Sequence, residues 1–171
     1  MGKGNEAVKR ILLAVLLVAT SLAAAQVESG PSPHPTRKGD EQILQQETFS
    51  PAVADVLVAR IGDGLAGHNR KTLLSAFDKS DAEGYTAIKE QINAIMEAYR
   101  AFKIFYQVES SALNPDGTAT VRAHFQIEQQ PAAEDAMPFR RDAELALTAG
   151  RTKNGWRVTS FSPANFFIAA E

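Results

Sequence analysis

Ile88-Lys-Glu-Gln-Ile92-Asn-Ala-Ile95-Met96-Glu-Ala-Tyr99-Arg-Ala-Phe102-Lys-Ile104-Phe-Tyr106-Gln-Val108 is where the chain changes its hydrophobic period. Ile88, Ile92, Ile95, Met96, Tyr99 and Phe102 recur at helical spacing, and this apolar stripe has to face a core. From Ile104 onward, Ile104, Tyr106 and Val108 alternate with Lys103, Gln107 and Glu109, the period of a half-buried strand. A capping box is expected at the helix start, with Ser80 as cap and Glu83 reaching back from the third position.

The segments before this point read as helices and those after it as strands. Ser50-Pro51 opens a helix with Val53, Leu57, Ile61 and Leu65 on one face, closed by Gly67-His68-Asn69. Lys71 to Phe77 reads as a short second helix. Downstream, Asn114-Pro-Asp-Gly117 and Lys153-Asn154-Gly155 are turn signals. Ala119, Val121, Ala123, Phe125 and Ile127 alternate with polar residues, as do Ala143, Leu145 and Leu147. Trp156 to Phe161 forms a last strand. Helices followed by consecutive antiparallel strands make an α+β domain, with three helices packed on a curved sheet of about four strands.

The N-terminus reads as an address. Lys3, Lys9 and Arg10 precede the apolar run Ile11–Val18, which is short of the ~20 residues a membrane helix needs. Ala23-Ala24-Ala25 supplies small residues, so residues 1–25 read as a signal peptide cut before Gln26. No Cys follows to anchor a lipid. The mature protein is then periplasmic or extracellular, with no membrane association after cleavage. Residues 26–48, with Pro31, Pro33 and Pro35, read as a disordered linker, and 49–171 as one domain. Without cysteine, packing alone has to hold it.

The whole chain carries a net charge of −2, and residues 1–25 are basic. The mature part is therefore more acidic still and gives no reason to expect nucleic acid. Gly62-Asp-Gly64-Leu-Ala-Gly67 spells G-x-G-x-x-G but closes a helix instead of joining a strand to one. Lys79–Glu90 mimics a calcium loop, yet a cation stands where the first carboxylate belongs. His34, His68 and His124 lack metal-ligand spacing, so no metal and no cofactor is expected. Ser75, Ser80, Ser110 and Ser162 lack the context of a nucleophile elbow.

The element order resembles the nuclear transport factor 2-like superfamily, which includes SnoaL-like cyclases and ketosteroid isomerases. The likeness runs over residues 49–168 through Leu73-Leu74-Ser-Ala-Phe77-Asp78, the long helix and four strands ending in Gly155-Trp156-Arg157-Val158. It is similar in particular to exported bacterial members of unassigned role. The resemblance implies a cystatin-like cone whose enzymes work through ionisable groups pointing inward. By strand parity Arg122, His124, Glu128, Asp142 and Glu144 belong on the outer face. That leaves Asp78, Tyr85, Tyr106 and His68 to reach a cavity. Asp78, placed before the long helix near the expected cone mouth, is the candidate general base; the bland alternative is a linker aspartate.

Ala119, Ala123 and Ala143 are small inner-face residues that either admit a close helix or leave a pocket beside Phe125. Together with Tyr85 and Tyr106 they form the expected ligand pocket. Trp156, Phe161, Phe166 and Phe167 read as core or closing-flap residues. Three readings compete: a non-enzymatic cone binding an apolar small molecule or partner segment, a SnoaL-like isomerase or cyclase using Asp78, and a homo-oligomerisation module pairing as a homodimer through its polar face. For the address, mass spectrometry of protein from the cell envelope or medium is expected to find Gln26 as the N-terminal residue; intact chains starting at Met1 would disprove the cleavage.

Overall fold

The computed structural model describes residues 39–133 and 135–169; the expected signal peptide and the linker up to residue 38 lie outside them. The chain runs through α1 (Asp40–Leu44), α2 (Pro51–Ala66), α3 (Arg70–Leu74) and α4 (Ala82–Ala98). Then come β1 (Tyr99–Leu113), β2 (Ala119–Pro131), β3 (Phe139–Thr152) and β4 (Gly155–Ser162). The four strands form one antiparallel sheet in the order β1-β2-β3-β4. This is the α+β arrangement the periodicities predict, with one helix more than expected.

The period change falls a few residues earlier than the apolar stripe suggests. α4 stops at Ala98, and Tyr99 and Phe102 are buried on β1. Residues three apart on a regular strand face opposite sides. A bulge between Tyr99 and Ala101 inserts the extra residue that turns both inward. A second irregularity, between Val108 and Ser110, shifts the parity again. The cap of α4 also differs from expectation. Ser80 gives its hydroxyl to the Asp78 carboxylate, so it cannot cap, and Asp81 accepts from the Gly84 amide at 3.2 Å instead.

Residues 39–48 are part of the domain, correcting the linker reading over that stretch. Polar composition concealed a strap held by a few specific contacts. Leu44 is fully buried, the Trp156 indole donates to the Gln46 carbonyl at 3.1 Å, and Phe49 meets Trp156 edge-on at 5.2 Å. Gly155 sits at φ +90, and a Cβ there would collide with the Leu44 carbonyl, so both backbone angle and space demand glycine.

Glu41 anchors the same strap electrostatically. It accepts from Arg60 at 2.7 Å and from Arg157 at 3.4 Å. Arg60 lies on α2 with its side chain 2% exposed, and its remaining bonds go to the Ser75 carbonyl and hydroxyl, each at 3.4 Å. A buried guanidinium is tolerable only with such partners.

Burial alone would raise the Glu41 carboxyl, but the bond and charge of Arg60, with Arg157 adding, hold it below its ordinary 4.5. A depressed carboxylate contributes stability above its unfolded-state pKa and loses it as pH falls through the folded one. Glu41→Gln is therefore expected to weaken the fold at neutral pH by about 0.5–1.5 kcal/mol, because the Glu41 side chain is 60% exposed and solvent screens its pairs. It should also flatten the acid limb below about pH 4.5 in urea-midpoint-against-pH curves. Parallel curves for both proteins would show that the carboxylate contributes nothing.

Candidate functional site

Aromatic rings fill the concave face of the sheet. Tyr106 meets Phe125 at 5.8 Å, Phe125 meets Phe166 at 5.3 Å and Phe166 meets Phe167 at 5.0 Å. Phe167 continues to Phe77 and Phe161, and Phe77 and Phe161 touch each other. Trp156, Phe166 and Phe167 thus take the core role, with Phe161 partly buried against it. The expected pocket residues Ala119, Ala123 and Phe125 are sealed in this core, and Ala143 is half-buried against it.

Tyr106 is buried and belongs to the packing, not to a rim. Its hydroxyl donates to Asp63 at 3.2 Å. Burial first, then the charge and hydrogen bond of Asp63, holds the phenol well above its ordinary value. A Cβ on Gly62 would run into the Tyr106 ring, and one on Gly64 would meet the Leu73 backbone at 2.7 Å. The glycines of the G-x-G-x-x-G stretch therefore let a ring and a neighbouring helix approach the backbone of α2.

Asp78 is displaced from that interior. Residues 76–78 run along β4: the Val158 amide donates to the Ala76 carbonyl and the Asp78 amide to the Val158 carbonyl, each at 2.8 Å. The carboxylate takes the Ser80 hydroxyl and, at 3.1 Å, the Ser80 amide. The hydroxyl bond, ahead of the opposing effect of burial, holds its pKa below the ordinary value. A general base working near neutrality needs the opposite shift. Asp78 instead lines an open surface groove of about 310 Å³ with Glu41, Gln45, Ser75 and Arg157. Tyr85 is partly buried on α4 with Lys79 over its ring at 5.7 Å. His68 is exposed, its ring 6.0 Å from Phe102.

The outer face is as parity predicts. Arg122, Asp142 and Glu144 are exposed and His124 and Glu128 half so. Asp142 lies 3.4 Å from His124, and Arg140 pairs with Glu128 at 2.6 Å.

Unforeseen polar chemistry stands at the end of the concave face where β1 begins, β2 ends and β3 begins. Gln129 is 1% exposed, and among the described residues neither its amide oxygen nor its nitrogen has a partner. It sits across from Phe102 on β1 and Phe139 on β3. Arg141, opposite Ile127, shares this face with Ala143, Leu145 and Leu147. Its Nη2 donates to the Phe166 carbonyl at 2.5 Å, its plane lies 5.4 Å from the Phe166 ring, and its Nε is sealed without a partner. Met137 is 85% exposed and Phe139 43%. The same alternation that places Ala143 inward puts Arg141 inward. The signal is present in the sequence, but an arginine at the start of a strand looks like the polar loop before it.

No family model matches the chain, and no curated protein is similar to it. Solved structures do match. A ketosteroid isomerase-like protein from Erwinia carotovora atroseptica is 11% identical, over 66% of this chain and 95% of that one, with a TM-score of 0.56. A protein from Kribbella flavida is 21% identical over 63% and 84%, at 0.51. An NTF2-like protein with a cystatin-like fold from Novosphingobium aromaticivorans is 18% identical over 61% and 74%, at 0.45.

Replacing Gly62 by Ala forces a methyl group into the Tyr106 ring, and overpacking of this kind costs about 1–3 kcal/mol. Denaturant titration of Gly62→Ala should show that loss; an unchanged midpoint would mean that the ring moves aside freely. The helices, the sheet order and the likenesses above a TM-score of 0.5 agree: the chain has an α+β fold of helices packed on one four-stranded antiparallel sheet, a fold it shares with the ketosteroid isomerase-like protein from Erwinia carotovora atroseptica.

Proposed function

We propose that this chain is an exported, non-enzymatic binding module that takes a small amphipathic molecule at the Gln129 end of its concave face. The observation that carries the reading is the Gln129 amide, buried with both polar atoms unpartnered. Leaving such a group unmet costs about 1–3 kcal/mol, and the chain spends this where a leucine would pack. A site that sacrifices stability is the common mark of one shaped for a ligand. Phe139, directly opposite Gln129, is half open to solvent, which makes this the end of the face nearest to water. Met137 and Phe139 extend the apolar surface outward for the body of the guest.

Catalysis has weaker support. Asp78 lies beyond β4, the edge strand, while Gln129 lies on β2, two strands away, and the Asp78 carboxylate is held ionised instead of poised to take a proton. Export rests on the basic start and short apolar run of the sequence.

Gln129→Leu separates a ligand site from ordinary packing. The empty protein should gain about 1–3 kcal/mol in urea denaturation, because a similar volume is kept and the orphaned amide removed. It should also lose the melting-temperature rise that 3-phenylpropanol or 3-phenylpropionate gives the wild type, since only a guest of the folded state stabilises it. A destabilised Gln129→Leu protein would mean that the amide is needed by the fold itself, and the reading would fail.

A further inference from the structure

We propose that the polar end of this ligand is a carboxylate, received by the Arg141 guanidinium with the Gln129 amide nitrogen as a second donor. The inference rests on the binding reading above and adds the ligand's chemical class. Arg141 is the charged residue on a run that otherwise reads Phe139, Ala143, Leu145, Leu147 and Ala149 along the concave face. Arg60 and Arg157, the other two arginines drawn into the domain, share the Glu41 carboxylate. Arg141 has no acidic partner among the described residues. It has one carbonyl and an aromatic ring, and the nearby Tyr99 phenol is the group that favours its charged form. Burial pushes its pKa down, but a guanidinium in a protein stays protonated. A half-buried cation without an anion is an unusual thing to keep.

The geometry favours a carboxylate over other anions. Arg141 and Gln129 are diagonal neighbours on adjacent strands, a spacing of about 7–8 Å, which a planar head between them spans. Guanidinium and carboxylate match as flat hydrogen-bonding partners. One cation balances one negative charge; a phosphate would bring a second into a setting walled by Phe102, Phe139 and Phe166. The same rings accept an aryl or alkyl body.

The test is isothermal titration of the full chain with 3-phenylpropionate, 3-phenylpropanol and phenyl phosphate. The acid should bind at least tenfold more tightly than the alcohol and the phosphate, and its advantage should shrink with salt. Arg141→Gln should erase the advantage, while Arg141→Lys keeps part of it. Near-UV circular dichroism checks that each variant is native, and the wild-type comparison needs no variant at all. Equal binding of acid and alcohol, both lost in Gln129→Leu, would overturn the carboxylate and leave the binding site standing. Tighter binding of phenyl phosphate would overturn the choice of anion. Failure of all three to bind, with no stability gain in Gln129→Leu, would overturn site and ligand together.

Discussion

The packing of this domain depends on the close approach of the Tyr106 ring to the backbone of α2 at Gly62. That contact is possible because Gly62 has no Cβ, and it is pinned by the hydrogen bond from Tyr106 to Asp63 one residue along. It sets how closely α2 approaches β1. That approach places Tyr106 where Phe125 stacks behind it, and Phe125 then fixes Phe166. With no disulfide available, this succession of rings takes the place of a covalent staple. Pairs of this kind add about 0.5–1.5 kcal/mol each beyond the area they bury. A chain of them spanning from β1 to the C-terminal segment is therefore a large part of a domain stability of about 5–15 kcal/mol.

The elements were legible because their periods are strong. α2, the body of α4 and the alternation of β2 follow directly from where Val, Ile, Leu and Phe fall. The failures have physical causes. Tyr99 and Phe102 continue the helical spacing, yet they lie on a strand, since a bulge can imitate a helical offset for three residues. Ser80 has the right identity for a cap but is captured by Asp78, a competition invisible to a local motif. Residues 39–48 carry few apolar side chains, and their order comes from Glu41, Leu44 and the Gln46 carbonyl meeting partners more than a hundred residues away, or on α2. Distant pairing of this kind leaves no trace in composition.

The site was less legible than the fold. Reading charges as solvent-facing assigns Arg122, His124, Glu128, Asp142 and Glu144 correctly. It passes over Arg141, which obeys strand parity and defies its charge, and Gln129, which is too ordinary a residue type to draw notice. Asp78 drew notice through its position before α4. Its surroundings give it a structural role, since its backbone continues the pairing of β4 and its carboxylate organises the turn into the helix. Pairing there also covers part of an otherwise open sheet edge.

The two ends of the concave face differ in their charge pairing, although the Arg60 Nε at the strap end is itself buried without a partner among the described residues. Where β3 turns into β4, the strap closes the cone: Leu44 is buried against Gly155, Trp156 is hydrogen-bonded and ringed, and the guanidiniums have their carboxylate. Where β1 begins, among the described residues an amide has no partner and a guanidinium has no acid, and the apolar residues Met137 and Phe139 face water. A fold shaped for stability alone would treat both ends alike, because hydrophobic replacement of an unpaired buried polar group is usually neutral or favourable. The proposed guest would remove that asymmetry: its apolar part would cover Met137 and Phe139, and its polar head would complete the bonds that Gln129 and Arg141 leave open.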